Sequence, residues 1–139
     1  MTTTMEVDTG RLVSVAEVAC IMGDTATAER VYQLLMYEPS QETRLEARFQ
    51  LAMLKNARGE LKEAAVLLSQ ILDHRPNATR TRLELAGVLN RMGDKEGAWR
   101  QMRAIRTEEL SAEEAQVIDY YSDVLCSADS TREFLNSHP

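Results

Sequence analysis

Aromatic side chains are scarce, with two Phe, four Tyr and one Trp making up 5% of the 139 residues. A core must therefore be filled by Ala, Leu, Val, Ile and Met, which favours helices, where Ala and Leu are the best formers. Cysteine is limited to Cys20 and Cys126, too far apart for metal or redox spacing. They read as free thiols in helices; a bridge between the first and last helices would need Cα atoms within about 7 Å. The only histidines, His74 and His138, have no acid or cysteine at ligand or triad spacing. The glycines are isolated, so no phosphate-cradling loop is present. The chain therefore reads as a non-enzyme that needs no cofactor or metal. Positive charge is in deficit as well, with 16 Lys+Arg against 22 Asp+Glu and a net charge of −6. That lacks the electrostatic footprint of a nucleic-acid binder. No run of 18 apolar residues offers a membrane span. Residues 1–10 are polar, with Glu6 and Asp8, unlike a secretory signal. As it stands, the sequence reads as cytoplasmic.

What is present is a repeat. The chain aligns on Gly23, Gly59 and Gly93, spaced by 36 and 34 residues. Five residues after each glycine comes an alanine (Ala28, Ala64, Ala98), and seven before each another (Ala16, Ala52, Ala86). Val15, Leu51 and Leu85 precede the latter set, and Asp24, Glu60 and Asp94 follow the glycines directly. Each position has a physical reason. The glycine ends a helix by accepting the left-handed conformation of a C-terminal cap. The acid opens the next helix as an N-cap or first-turn charge. The alanines are small because two helices of a hairpin approach closely there. Pro39 and Pro76 stop the second and fourth helices. Helices are expected over 10–22, 25–37, 41–57, 60–74, 78–91 and 95–107. Apolar steps such as Leu61, Ala64, Ala65, Leu68, Ile71 and Leu72 mark the buried stripe of one of them. Leu110 stands where the third proline would fall, and Ser111-Ala112-Glu113-Glu114 reads as the capping box of a seventh helix. Ala115, Ile118, Tyr121, Val124 and Leu125 on one side of that helix would cover the open end of the stack. The domain plan is a flexible segment 1–9, one domain 10–127 (repeats 10–39, 41–76 and 78–109, capping helix 111–127) and a tail 128–139.

This pattern resembles the tetratricopeptide repeat, a helix-turn-helix unit of about 34 residues. The likeness covers about residues 10–110 and implies an all-α, right-handed superhelix of three repeats plus the capping helix. The aromatic common four residues before the glycine is replaced by Ala19, Lys55 and Leu89. The stretches 44–52, 59–65 and 82–86 are also similar to the N-terminal repeat domain of bacterial surface lipoprotein assembly modifiers, where a periplasmic repeat domain precedes an outer-membrane barrel that exports lipoproteins. On that likeness the chain is an excised or stand-alone repeat domain, periplasmic if excised.

The repeat fold implies a concave groove lined by the first helix of each hairpin. Contact positions ten, six and three residues before each glycine are Val13, Phe49 and Leu83; Glu17, Met53 and Gly87; Cys20, Asn56 and Asn90, flanked by Arg80 and Glu46. Chaperone-binding relatives place Lys, Arg and Asn at the first two sets to clamp a terminal carboxylate. Here those places are mainly apolar, which suits an amphipathic helix or extended apolar segment of another protein. Phe49 and Leu83 fit a groove floor or the core, and the asparagines fit ligand contacts or ordinary helix ends. Arg100, Arg103 and Arg106 form a stripe expected to be solvated, and Trp99 is expected between the third repeat and the seventh helix. The function expected is that of a protein-interaction module holding a client or a secretion or assembly partner. The alternatives are a small cytoplasmic repeat chaperone of a secretion system or a self-associating structural protein; the oligomeric state is left open.

Overall fold

The computed structural model describes residues 8–105 and 110–120. Expectations for residues 1–7, Arg106, Glu108, Glu109, Tyr121, Val124, Leu125, Cys126 and the tail 128–139 lie outside them. The described residues are all-α, with helices and turns and no strand. The helices are α1 (Thr9–Ile21), α2 (Thr25–Leu35), α3 (Gln41–Ala57), α4 (Leu61–His74), α5 (Thr79–Arg91), α6 (Lys95–Arg103) and α7 (112–120). The chain divides into two compact units, 1–71 and 72–139.

The three glycine turns share one hydrogen-bond pattern. Gly23, Gly59 and Gly93 have φ of 79°, 79° and 86°. Their N–H groups donate to Cys20, Asn56 and Asn90 carbonyls at 3.0–3.1 Å. The next residues, Asp24, Glu60 and Asp94, donate to Ala19, Lys55 and Leu89 carbonyls at 2.8–2.9 Å. This pair of bonds satisfies carbonyls orphaned at the helix end and requires a left-handed residue at the glycine. The aspartates then cap the next helix, Asp24 accepting from the Thr27 N–H at 3.2 Å and Asp94 from the Gly97 N–H at 2.8 Å. The Thr27 hydroxyl, and then its N–H, hold the Asp24 carboxyl below its usual range.

A Cβ added at Gly59 meets nothing within 4 Å, so only the backbone opposes it. Gly59→Ala is expected to cost about 1–2 kcal/mol, the penalty of left-handed backbone for a residue with a Cβ. Gly87, inside α5 with equal room and ordinary φ, is the control. Gly87→Ala is expected to stabilise by about 0.5–1 kcal/mol. Urea unfolding of the two variants must give opposite signs; equal signs would refute the turn assignment.

Helix ends depart from expectation in explicable ways. α1 begins at Thr9 because Asp8 caps it, accepting from the Arg11 N–H at 3.3 Å. α2 ends at Leu35, earlier than expected, consistent with the extended bias of the residue before Pro39. α6 ends at Arg103.

In the first unit α2 packs on both α1 and α3. Ala16, Ala19, Ala28, Val31, Tyr32, Leu35, Ala47 and Leu51 form one core, with Leu12, Val13, Leu54 and Leu67 against it. Ala16 and Ala28 have no exposed surface, as close approach of α1 and α2 requires. Arg44 ties α3 to the preceding loop, donating to the Glu38 and Pro39 carbonyls at 2.6 and 2.7 Å.

In the second unit α5 packs on α6, and Ala86, Ala98, Met102, Ile105 and Ile118 make its core. Arg82 repeats the loop tie, donating to the Pro76 carbonyl at 2.9 Å and to Gln101 at 2.7 Å. The capping box of α7 is formed: Glu114 N–H donates to Ser111 Oγ at 3.2 Å and Ser111 N–H to Glu114 Oε2 at 3.4 Å. Ile118 brings α7 onto this core, and half-buried Trp99 and Leu110 pack there too. Arg100 and Arg103 are exposed, Arg100 lying 3.5 Å from Glu96.

Candidate partner-binding cleft

A cleft of about 470 Å³ opens between α1 and α3 over the end of α2. Its floor is Val13, Tyr32, Leu35 and Ala47, and its rim carries Glu17, Glu42 and Glu46 with Thr9, Thr43 and Gln50. No Lys or Arg lines it. Gln50 Nε2 donates to Glu46 Oε1 at 3.0 Å, one helical turn on, fixing that carboxylate along α3. Burial pushes the Tyr32 phenol up to about 12, helped by Cys20 beside it and by Glu17 and Glu46. The phenol therefore stays protonated at neutral pH. The site combines an apolar floor with three rim carboxylates.

The cleft unites Val13, Glu17 and Glu46 from the expected groove set. Phe49 is buried, only 4% exposed, as a core side chain is, and does not line the cleft. Met53 and Asn56 are half-buried and also outside it. In the second unit Arg80 and Asn90 are exposed, while Leu83 is half-buried against the Ala86–Ala98–Met102 core. Gly87 and Cys20 are exposed, and Cys20 is a free thiol.

Helix geometry explains the split on α3. At 100° per residue, Phe49 and Asn56 lie about 90–110° around the helix from the centre of its cleft-lining residues. Val13 faces α3 from α1, but the equivalent Phe49 turns away from that side. Equivalent positions of successive repeats need not share a neighbour. The side of α3 that meets α1 carries Glu42, Thr43, Glu46, Ala47 and Gln50 instead. Of these, Glu46 was expected beside the groove from the repeat register, and Glu42, Glu46 and Gln50 recur every four residues as a polar stripe, a sequence signal for the other two.

A second feature is an ionic hub at the glycine turn of α3 and α4. Lys55 Nζ lies 2.9 Å from Glu29 on α2, 3.0 Å from Glu60 and 2.9 Å from Glu63 on α4. Arg58 pairs with the other Glu29 oxygen. Glu60 Oε2 is closed off from water without a well-directed hydrogen bond, so the Lys55 ammonium is its counter-charge. Hydrogen bonds from Arg58 first, then Lys55, hold the Glu29 carboxyl below its usual range. Bonds to Glu29, Glu63 and Glu60 raise the Lys55 ammonium. This ammonium occupies the place left by the missing repeat aromatic.

Among the described residues, no His, Cys, Asp and Glu cluster could hold a metal, and no helix is long and apolar enough to cross a membrane. No family model matches the chain. Over 79 residues it is 34% identical to a surface lipoprotein assembly modifier of Pasteurella multocida (strain Pm70), a match covering 57% of this chain and 16% of the relative. It superposes with a TM-score of 0.74 and 19% identity on a tetratricopeptide repeat protein from Parabacteroides merdae ATCC 43184, covering 84% of this chain and 45% of that one. The chain thus spans under half of either protein's length. Together with the glycine turns and paired alanines, the structural likeness shows that it has the all-α tetratricopeptide-repeat fold.

Proposed function

We propose that this chain holds a segment of another polypeptide in the α1–α3 cleft, and that the segment is amphipathic with basic residues flanking apolar ones. The observation that carries this reading is the apolar floor of Val13, Leu35 and Ala47 beneath the Glu17, Glu42 and Glu46 carboxylates. Apolar side chains gain from burial on the floor, and cationic neighbours gain from the rim. The likeness to a surface lipoprotein assembly modifier supports a client among surface lipoproteins or their assembly partners, in the compartment where those are handled. The role is binding rather than catalysis.

The test is fluorescence anisotropy with a labelled amphipathic Lys/Leu peptide and its Gln/Leu counterpart. Glu17→Lys with Glu46→Lys, both exposed, is expected to weaken the Lys/Leu peptide at least about 10-fold while helicity is kept. The Gln/Leu peptide should respond little, and added salt should weaken the Lys/Leu peptide alone. Unchanged binding of that peptide by the folded double variant would refute the reading.

Self-association is favoured by a separate observation. Val15, Val18 and Ile21 are exposed along α1 and Met22 is exposed at its C-cap, an apolar face left in water. Sedimentation of Val18→Lys against the unchanged chain tests this reading, since a shared apolar contact would be lost.

A further inference from the structure

On nearly the opposite side of α3 from the cleft, an open hollow of about 710 Å³ is lined by Arg30, Gln33, Leu34, Met36, Tyr37 and Arg48. Its character is the reverse of the cleft's, with two guanidiniums and no carboxylate. Elsewhere the arginines of this unit find acceptors. Arg11 pairs with Asp8, Arg44 with two loop carbonyls and Arg58 with Glu29. Arg30 and Arg48 have no carboxylate partner among the described residues, and the Arg48 Nε is buried with no acceptor at all. A buried donor without an acceptor is uncommon in folded proteins and asks for a reason. Beside it, Leu34 and Tyr37 are 61% and 88% exposed, apolar surface left in water next to the cations. On a chain of net charge −6, unneutralised positive charge beside exposed Leu and Tyr is a local exception.

We propose that this α2–α3 hollow is a second docking site, for an acidic segment of a partner protein that carries an aromatic or aliphatic residue beside its Asp or Glu. The guanidiniums supply planar donor forks for carboxylates. Tyr37 and Leu34 supply the contact area for the neighbouring apolar side chain, and Met36 adapts to its shape. With the acid-rimmed cleft facing the other way, the unit would hold two segments of opposite charge at once.

The test is NMR chemical-shift mapping on the full chain, titrated with a peptide of alternating Asp/Glu and Leu/Phe, its Asn/Gln analogue, and inorganic phosphate. The acidic peptide is expected to shift Arg30, Leu34, Tyr37 and Arg48, and to bind at least 10-fold more tightly than the amide analogue. Arg30→Glu, at an exposed side chain, and Arg48→Gln are each expected to weaken it several-fold, and the two together at least 10-fold. Should Arg48→Gln lose helicity, Arg30→Glu with Tyr37→Ser carries the same expectation at exposed positions only. Shifts confined to the α1–α3 cleft, equal affinity for the amide analogue, an equal response to phosphate, or full binding by the folded double variant would each overturn the proposal.

Discussion

Leu35→Ala is expected to destabilise the protein by about 2–5 kcal/mol. Leu35 closes α2, is 1% exposed and belongs to the core shared by α1, α2 and α3. Truncation removes its buried carbons and leaves a cavity that the surroundings fill only in part, because Ala16 and Ala28 already sit at closest approach. The side chain also forms part of the cleft floor, so water entering there would place the loss toward the lower half of the range. Urea unfolding followed by circular dichroism measures it. The preceding residue is the internal comparison: Leu34 is mostly exposed, and Leu34→Ala is expected within about 0.5 kcal/mol of the unchanged protein. A loss below 1 kcal/mol at Leu35 would contradict its place in the core. Because Leu35 also supports the cleft, the same variant should bind the Lys/Leu peptide less well.

Lys55→Met should cost about 1–3 kcal/mol, in the range for buried or half-buried charged hydrogen bonds. The Lys55 side chain is 15% exposed, and its ammonium joins α2 to α3 and α3 to α4 through three carboxylates. Removing it leaves Glu29 and Glu60 facing one another's charge, with Arg58 alone to compensate. Glu63 is mostly exposed, so its share is screened and small. The hub also sets a pH dependence. The Glu29 carboxyl is held below its ordinary 4.5, so the stability it contributes is present above that value and is lost as pH falls through the lower folded one. Lys55 is raised above its ordinary 10.5, so its contribution is complete below that and constant across the neutral range. Melting temperatures measured from pH 7 to pH 3 should therefore fall below about 4.5, and fall less in Glu29→Gln. An identical acid slope in Glu29→Gln would remove Glu29 from the account.

Much of the backbone could be read from single residues. Gly23, Gly59 and Gly93 each need a left-handed φ, and Asp24 and Asp94 each cap a helix from their own side chain. Ser111 and Glu114 specify the capping box within four residues. Such signals act over one turn, so neighbouring sequence suffices to set them. The paired alanines are longer-ranged but still legible, because only a small residue permits that approach in every repeat.

The cleft was only partly legible. Val13, Glu17 and Glu46, expected along the groove, line the α1–α3 cleft, but position alone left Phe49 between floor and core, and its burial is that of a core side chain. Nor could Lys55 be recognised as a hub. In sequence it is a departure from a pattern, and its three carboxylates come from α2, from the glycine turn and from α4.

The sequence by itself determined where the glycine turns stop α1, α3 and α5, how the next helices are capped, and that they pair as hairpins, because those outcomes depend on φ, on local donors and on side-chain size. Tertiary structure decided which side of α3 meets α1, and therefore that an acid rim rather than Phe49 borders the cleft. It also decided that Arg48 is left with a buried donor while Arg44, four residues earlier, reaches two loop carbonyls. Both depend on how one helix rotates against another, a balance of packing over many contacts that no short stretch of residues contains.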